Sequence, residues 1–210
     1  FTRKQSPENI AMKLVAVNAS DVAASGARPT WALLSIALPQ PIDTNWVQAF
    51  SRTLRTELQA KGIALIGGDT TRSPGPIFLN LCLAGKLVTE KALLRNTAKP
   101  NDDIWVSGFL GDASGGFHLD DPILRERFER PDPPLELGPQ LAKKQLATAA
   151  MDISDGLLTD LKRLCKASSC GAVINRQKLP ASPELTALVE DTLPHQIAFG
   201  EDYELLFCAK

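Results

Sequence analysis

The N-terminal part of the chain shows a helical pattern of apolar and polar positions. Residues 6–8, Ser-Pro-Glu, combine a capping hydroxyl, a proline at the first helical position and an acid in the first turn, and Gly26 is a natural stop. Asn18, Asp21 and Ser25 fall at i, i+3 and i+7 on one face, while small or apolar residues fill most of the rest. The pattern predicts a helix buried nearly all round, with one polar stripe that needs partners.

Strand and helix patterns alternate along the rest of the chain. The predicted elements are a strand at 31–38, an amphipathic helix capped by Asp43 or Thr44 and running to Gly62, a short buried strand at 64–66, a long strand at 77–88, a short strand at 104–107 and a mostly helical segment at 135–149. Residues 151–153 then form a strand-like step into a helix capped by Ser154. This alternation predicts an α/β (α+β) architecture.

Composition and charge narrow the possible functions. The 210 residues are 44% hydrophobic and carry 23 basic and 24 acidic side chains, so the formal net charge of −1 gives no long-range field to recruit nucleic acid or an anionic membrane. No apolar stretch reaches the length of a membrane span. The four cysteines lack the paired spacing of a zinc site or a redox dithiol, which favours reduced core residues of a cytoplasmic protein.

Short acidic motifs stand at the edges of apolar segments, where a hydrophobic core does not require them. They occur at residues 18–21 (Asn-Ala-Ser-Asp), 67–71 (Gly-Gly-Asp-Thr-Thr) and 151–157 (Met-Asp-Ile-Ser-Asp-Gly-Leu). A carboxylate there costs desolvation free energy unless it is hydrogen-bonded or meets a cation. Several acids converging from distant segments therefore indicate a divalent metal and a phosphate-bearing ligand.

Each motif also has a purely structural interpretation. Ser154 and Asp155 are common helix-capping residues, and for these two alone the capping role is favoured. Residues 67–71 form either a tight polar turn or a ligand loop, in which two glycines let a ligand approach at the carboxyl end of a strand. Asp21 is either an acceptor for backbone hydrogen bonds near a helix end or, with Asn18, part of a site.

Taken in order, these segments resemble the thiamine-monophosphate kinase family, which belongs to the superfamily of aminoimidazole ribonucleotide synthetase and selenophosphate synthetase. The similar segments are residues 18–27 (Asn-Ala-Ser-Asp-Val-Ala-Ala-Ser-Gly-Ala), 67–71, 94–102 (Leu-Arg-Asn-Thr-Ala-Lys-Pro-Asn-Asp), 151–157 and 200–205 (Gly-Glu-Asp-Tyr-Glu-Leu). The resemblance covers essentially the whole chain. Singly the motifs are weak, whereas their order is specific.

The resemblance implies a kinase that transfers a phosphoryl group from ATP to thiamine monophosphate, giving thiamine diphosphate. Two polyanions must meet in such a reaction, so the site needs metal ions and an arginine more than a strong base. Several Mg²⁺ ions are implied, with ATP as co-substrate. The site residues implied by the resemblance are the catalytic and metal-binding Asp21, Asp69 and Asp152, the further metal ligand Asp155, the ATP-binding Gly68, Asp69, Arg95 and Ser154, and the substrate-binding Glu201. Without the resemblance, Glu201 and Asp202 are equally well explained as a solvated acidic pair before a strand.

The family fold implies two α/β domains, here at residues 1–98 and 99–210, with N-terminal strands that pair across a homodimer into a β-barrel. Residues 31–38 and 77–88 are the expected barrel strands. Two N-terminal metal-binding motifs of the family and the end of its C-terminal domain are not found, so the 210 residues are expected to hold an incomplete active site and to show little activity alone. Two alternatives remain: a sister enzyme with another acceptor, and a catalytically silent nucleotide-binding or dimerisation module.

Overall fold

The computed structural model describes residues 5–210, in which two separate three-stranded sheets are surrounded by helices. The elements, in chain order, are α1 (Pro7–Ala24), β1 (Ala27–Leu38), α2 (Thr44–Ala60), β2 (Ala64–Arg72), β3 (Phe78–Leu87), β4 (Asp103–Val106), α3 (Asp112–His118), α4 (Pro122–Glu129), α5 (Leu137–Lys144), β5 (Ala147–Asp152), α6 (Leu157–Ser168), a 3₁₀ turn (Arg176–Lys178), α7 (Pro183–Leu188), α8 (Leu193–Ala198) and β6 (Leu205–Ala209). The mixed α/β prediction is confirmed.

The first sheet has the strand order β2-β1-β3, with β1 parallel to β2 and antiparallel to β3. Helix α2 makes the crossover between the two parallel strands, as such a connection requires. Helices α1 and α2 pack on one face of the sheet, where their apolar side chains form a core with alternate residues of β1 and β3. This core includes Phe50, Leu54, Leu58, Ile36 and Leu81.

Both predicted helix starts in this half of the protein are confirmed. The Ser6 hydroxyl accepts a hydrogen bond from the Asn9 N–H at 3.1 Å, and the Asp43 carboxylate accepts one from the Asn45 N–H at 2.9 Å. Each side chain satisfies a backbone donor that the first helical turn leaves without an intrahelical partner.

The prediction of a short buried strand at residues 64–66 is wrong. Strand β2 continues to Arg72, and all of its residues are exposed because it is an edge strand with β1 as its only neighbour in the described sheet. The Gly-Gly-Asp-Thr-Thr segment therefore lies within this strand and not in a loop after it. Gly68 follows a register shift opposite β1, where an added Cβ would lie 2.0 Å from the Leu34 carbonyl oxygen. Only glycine fits so close to the neighbouring strand.

The second sheet has the order β4-β6-β5 and is antiparallel throughout. Helix α6 covers it with an apolar stripe, and the resulting core includes Leu157, Leu161, Leu164 and Leu206. The predicted helix over residues 135–149 is too long, since α5 ends at Lys144 and β5 begins at Ala147. Gln145 adopts a left-handed conformation with φ 54°, which stops the helix and lets the following alanine-rich residues pair with β6.

Helix α6 begins differently from the sequence prediction. Gly156 occupies the capping position, and Ser154 makes no capping hydrogen bond to the helix. Instead the Asp160 carboxylate, which is fully buried, reaches back to accept hydrogen bonds from the N–H groups of Ser154 and Asp155 at 3.0 and 2.9 Å. Arg163 pairs with both Asp160 and Asp155. An acid inside the helix therefore fixes the loop that precedes it.

Helix α1 joins the two halves of the protein, because it contacts β1 and β3 as well as α4, α5 and β5. Small residues make this possible: an added Cβ on Gly138 of α5 would lie 1.8 Å from the Ala23 carbonyl oxygen of α1. The predicted all-round burial of α1 is thereby explained by packing against both sheets.

Within residues 5–210, no helix is both long and apolar enough to cross a bilayer. The four cysteines are free thiols, but the expectation that all are core residues is wrong. Cys82 is exposed on β3, because the outer face of the first sheet is uncovered, and Cys208 of β6 is the buried one.

Glu204, just before β6, is a buried acid whose protonation is linked to folding. Its Oε2 accepts a hydrogen bond from the Ser107 hydroxyl at 2.5 Å, and the same hydroxyl accepts one from the Leu205 N–H at 2.8 Å. Burial, which is only partly offset by this hydrogen bond, raises the pKa of Glu204 to about 7. Neighbouring carboxylates, Asp202 first, add to the rise.

We expect Asp160→Ala to lower the free energy of unfolding by about 2–3 kcal/mol, because two backbone N–H groups lose their acceptor. Asp155→Ala is the matched control, since Asp155 shares Arg163 as a partner but is exposed, and its cost should stay within about 0.5 kcal/mol. Urea unfolding of both variants measures the difference. Equal costs would mean that Arg163 pairing, and not backbone capping, stabilises this turn.

We expect Glu204→Gln to change the pH dependence of stability. Because folding raises the carboxyl pKa from 4.5 to about 7, the folded state binds the proton more tightly than the unfolded state does. Protonation of Glu204 therefore stabilises the fold at low pH, and this stabilisation is lost as the pH rises between these two values. The glutamine variant should lack this component and gain stability relative to the parent protein from low to neutral pH. Thermal unfolding over this range tests it, with the exposed Glu190→Gln as control. Parallel profiles for Glu204→Gln and the parent would contradict the linkage.

Candidate functional site

Two of the predicted acids meet where the end of α1 packs against β5 of the second sheet. Asp21 lies near the end of α1, and Asp152 is the last residue of β5. Their carboxyl groups are close enough to share a hydrogen bond, and the Ser20 hydroxyl donates to Asp152 Oδ2 at 2.8 Å. We call Asp21 and Asp152 the carboxyl pair. Residues far apart in sequence thus supply one acidic site.

The carboxyl pair is electrostatically unfavourable as it stands. Burial, and then the neighbouring Asp21 carboxylate, raise the pKa of Asp152 to about 6, although the Ser20 hydrogen bond opposes the rise. Burial also raises the pKa of Asp21. A buried carboxylate that faces a second, exposed carboxylate favours a proton or a cation between them. The pair therefore has the chemistry of a cation-binding site.

The polar stripe predicted on α1 is only partly directed at this site. Asn18 donates to the Leu14 carbonyl oxygen at 2.8 Å, and the Ser25 hydroxyl donates to the Asp21 carbonyl oxygen at 3.1 Å, so both bond to their own helix. The residue that reaches across is Ser20, which is buried. A period of 3.6 residues identifies a face of a helix but not the partner that packs on it, so the motif at residues 18–21 contains Ser20 without indicating its contact with Asp152.

Within residues 5–210, no hydrogen bond or ion pair joins Asp69 to the carboxyl pair. Asp69 lies in the exposed strand β2, opposite Ser35 of β1, and Gly68 precedes it. Among residues 5–210, no group of three or more Asp, Glu, His or Cys side chains is arranged to hold a metal ion. The assignment of Asp69 to the same metal site therefore stays a prediction.

The remaining predicted metal and nucleotide residues surround the turn after β5 or lie on the surface. Asp155 is exposed and pairs with Arg163, and Ser154 is half-buried with its carbonyl oxygen accepting from the Glu201 N–H at 3.0 Å. Arg95 has an exposed side chain, and its carbonyl oxygen accepts from the Ser168 hydroxyl at 3.0 Å. Their roles toward a nucleotide stay predictions.

The segment 200–204, which we call the Glu201 loop, is held tightly beside the carboxyl pair. Gly200 lies so close to the turn after β5 that an added Cβ would be 2.1 Å from the Ser154 carbonyl oxygen. Glu201 and Tyr203 both have left-handed backbones, with φ 74° and 52°. Such conformations cost about 1–3 kcal/mol each in residues other than glycine and cluster at functional sites.

Asp202 anchors the Glu201 loop to the start of α3. Its carboxylate accepts hydrogen bonds from the N–H groups of Gly111 and Ala113 at 2.9 and 3.1 Å. Burial raises the pKa of Asp202 to about 7 despite these bonds. The interpretation of Glu201 and Asp202 as a solvated acidic pair is thus wrong for Asp202, which acts as a helix cap.

Glu201 faces in another direction, toward α1. Its carboxylate forms an ion pair with Lys13, and its Oε1 accepts from the Tyr203 hydroxyl at 3.3 Å. Tyr203 is itself buried, and burial, followed by the charge of Glu201, raises its pKa, with Asp152 and Asp21 contributing further. Tyr203 therefore lies between Glu201 and the carboxyl pair. Neither Lys13 nor Tyr203 was singled out from the sequence, because a lysine in an apolar helix gives no periodic signal.

A cavity of about 290 Å³ opens beside the Glu201 loop. Its wall carries five acids and two arginines. Arg127 is paired with Asp112 and Glu184, and Arg130 with Glu126; the other acids of the wall are Asp132, Glu201, Asp202 and Glu204. The larger cavity, about 440 Å³, lies between α6 and the 170–180 segment and contains none of the predicted site residues. The smaller cavity is thus the one that the predicted chemistry adjoins.

The chain is similar to two protein-family models and to curated proteins. The family models "AIR synthase related protein, N-terminal domain" and "AIR synthase related protein, C-terminal domain" match residues 1–87 and 99–209. The thiamine-monophosphate kinase of Salmonella typhimurium strain LT2 is 40% identical over 96% of this chain, and that of Buchnera aphidicola subsp. Schizaphis graminum is 38% identical over 99%. The chain spans 64% and 67% of the lengths of these two curated relatives.

Solved structures give the same result. A structure described as AaThiL complexed with AMPPCP and TMP superposes with a TM-score of 0.92 at 32% identity, covering 100% of this chain and 71% of that one. The thiamine-monophosphate kinase from Stenotrophomonas maltophilia K279a gives 0.92 at 39% identity, covering 100% and 70%. Escherichia coli HypE, a hydrogenase maturation protein, shares only the fold, with a TM-score of 0.78 at 23% identity over 96% of this chain and 65% of that one. The chain belongs to the AIR synthase related family and, within it, to the thiamine-monophosphate kinase family.

Proposed function

We propose that the protein transfers a phosphoryl group from ATP to thiamine monophosphate, forming thiamine diphosphate. The observation that carries the proposal is the meeting of Asp21 and Asp152 beside the Glu201 loop, in a chain 40% identical to a thiamine-monophosphate kinase. Support also comes from the similar AaThiL structure, which is a complex with AMPPCP and TMP.

The chemistry explains why acids dominate the site. The attacking group is a phosphate oxygen, which is already ionised at neutral pH, so no strong general base is required. The barrier comes from bringing two anions together, and positive charge must be placed between them. Acids that hold metal ions meet this need better than a catalytic histidine does.

Magnesium is the proposed cation, and the carboxyl pair fits it. Both ligands are carboxylates, which Mg²⁺ prefers, and their mutual repulsion is relieved when a divalent ion takes the place of a proton. Asp21 and Asp152 would hold the ion, and Asp69 and Asp155 are proposed as further ligands. When bound, the ion would neutralise charge on the phosphates of ATP and of the acceptor.

The nucleotide and the acceptor are assigned to different parts of the site. We assign ATP to Gly68, Asp69, Arg95 and Ser154. Arg95 supplies an exposed cation, and within residues 5–210 its guanidinium forms no ion pair. We assign the thiamine moiety to Glu201, whose half-exposed carboxylate faces the cavity. Thiamine carries a permanent positive charge, so a carboxylate at this position favours it over a neutral acceptor.

The two alternatives are less well supported. A sister enzyme with a different acceptor would share the ATP scaffold, but HypE resembles this chain at only 23% identity. A silent module is disfavoured by the cost of keeping Asp152 buried beside a second carboxylate without a ligand to relieve their repulsion.

A homodimer is proposed through the first sheet. Its outer face exposes apolar side chains, including Trp31 at 54%, Leu33 at 45% and Phe78 at 60%. In the described residues this sheet is open, with β2 and β3 at its edges. An exposed apolar face next to open edges favours association, and pairing with a second copy into a β-barrel would cover both.

For the full-length protein, we expect conversion of thiamine monophosphate to the diphosphate that requires both ATP and Mg²⁺. Asp69→Asn should reduce turnover at least about 100-fold, since loss of a charge-stabilising group has effects of this size. Its stability should hardly change, because Asp69 is exposed on an edge strand. Asp103→Asn, which alters an exposed aspartate at the start of β4, is the control and should keep turnover.

The measurements are diphosphate formation by chromatography and the melting temperature of each variant. Absence of turnover by the full-length parent with ATP, Mg²⁺ and thiamine monophosphate would overturn the proposed function. A large drop in melting temperature for Asp69→Asn would instead give Asp69 a structural role.

For the dimer, Leu33→Glu should shift the protein toward monomer, because it places a charge on the apolar outer face of β1. Gln59→Glu adds the same charge on an exposed position of α2, on the other side of the sheet, and should leave association unchanged. Sedimentation equilibrium measures both. Identical behaviour of the two variants would show that this face is not the interface.

A further inference from the structure

Lys13 is a buried cation in the middle of the otherwise apolar side of α1. Only 5% of the residue is exposed, and its ammonium donates to the Phe128 carbonyl oxygen at 2.7 Å while lying 3.7 Å from the centre of the Phe128 ring. Its third partner is the Glu201 carboxylate. Desolvation of an ammonium is costly, so a lysine persists here only because these partners compensate.

Glu201 differs from Lys13 in that it keeps an open side. Its side chain is 37% exposed, whereas that of Lys13 is 6% exposed, and it forms part of the wall of the 290 Å³ cavity. Lys13 contacts Oε2, whereas Oε1 accepts from the Tyr203 hydroxyl. Because each carboxylate oxygen can accept more than one hydrogen bond, Oε1 and Oε2 retain capacity toward the cavity.

Different contacts hold the backbone of the Glu201 loop and the side chain of Glu201. The N–H groups of Glu201 and Tyr203 donate to the carbonyl oxygens of Ser154 and Ile153, both at 3.0 Å. These bonds set where the Cα of Glu201 lies, but the rotamers of a glutamate leave its carboxylate free to move by several ångströms. Lys13 and Tyr203 are the contacts that remove this freedom.

Lys13 comes from a different part of the chain than the loop it contacts. It lies eight residues before Asp21 on α1, which corresponds to about 12 Å along the helix axis. The same rigid helix therefore touches Glu201 through Lys13 and Asp152 through Ser20 and Asp21. A fixed helix sets a fixed distance between these two points.

We infer that Lys13 is a positioning residue of the acceptor site: it holds the Glu201 carboxylate in the orientation that receives the acceptor, at a set distance from the carboxyl pair. The inference rests on the proposed function, because it takes Glu201 to contact the acceptor. The competing role is a latch that merely fastens α4 to α1 through Phe128. A latch would affect stability and would not distinguish one substrate from the other.

The test uses the full-length protein and steady-state kinetics with each substrate varied in turn. Lys13→Met should raise the KM for thiamine monophosphate about tenfold while the KM for ATP stays within about twofold, because only the acceptor contact is disturbed. Lys61→Met is the matched control, since Lys61 also pairs with a glutamate, Glu57, but on α2. It should change neither constant.

A double-mutant cycle then asks whether Lys13 acts through Glu201. Glu201→Gln alone should raise the acceptor KM, and adding Lys13→Met should raise it no further, since the contact is already lost. If the increases in acceptor KM of the two single variants multiply in the double variant, the inference is overturned. It is also overturned if Lys13→Met changes the KM values for ATP and for thiamine monophosphate equally. Should Lys13→Met fail to fold, Lys13→Gln keeps a donor for the Phe128 carbonyl oxygen and is held to the same expectations.

The outcomes separate this inference from the proposed function. A parent enzyme that makes no thiamine diphosphate refutes the function, and the positioning role with it. An active parent whose Lys13 variants lose stability but keep the acceptor KM refutes the positioning role alone and leaves the function standing.

Discussion

The site depends on the electrostatic repulsion between two carboxyl groups, of which one, Asp152, is buried and the other, Asp21, is exposed. Asp152 is buried at the end of β5 and faces Asp21, and the Ser20 hydroxyl donates a hydrogen bond to its carboxylate. Folding forces these groups together, because α1 packs against both sheets and cannot move away without opening two interfaces. Such a pair is stable with a proton or a cation, which explains how an acidic site can be built without a basic side chain at its centre.

Close packing of α1 is what allows this meeting. Ala19, Ala23 and Ala24 are buried, and Gly138 of α5 approaches the backbone at Ala23. Larger side chains at these positions would separate the helix from β5 by more than the reach of Ser20 or Asp21. The alanines and the glycine therefore serve the site as well as the core, although none of them carries chemistry.

The acids of the Glu201 loop illustrate how neighbours in sequence take unrelated roles. Glu201 faces Lys13 and a cavity, and Asp202 caps α3. Glu204, just before β6, accepts a hydrogen bond from the Ser107 hydroxyl. Left-handed backbones at Glu201 and Tyr203 turn these side chains in different directions. Contacts to other elements offset the strain: the N–H groups of Glu201 and Tyr203 donate to carbonyl oxygens of the turn after β5, and the Glu201 and Asp202 side chains bind α1 and the start of α3.

The sequence by itself determined the elements whose signals are local. The caps Ser6 and Asp43, the strand periods and the family motifs all lie within a few residues of the structure they specify, so they could be read without tertiary information. The β2 bounds, the cap of α6 and the partners of Ser20, Lys13 and Asp160 could not. Each depends on which surface packs against it. An edge strand and a central strand share the same period of apolar and polar positions. Likewise, the local sequence of a helix does not indicate which acid or cavity its lysine will contact. Only the folded chain decides these contacts, because desolvation and hydrogen-bond satisfaction are properties of groups brought together from distant positions.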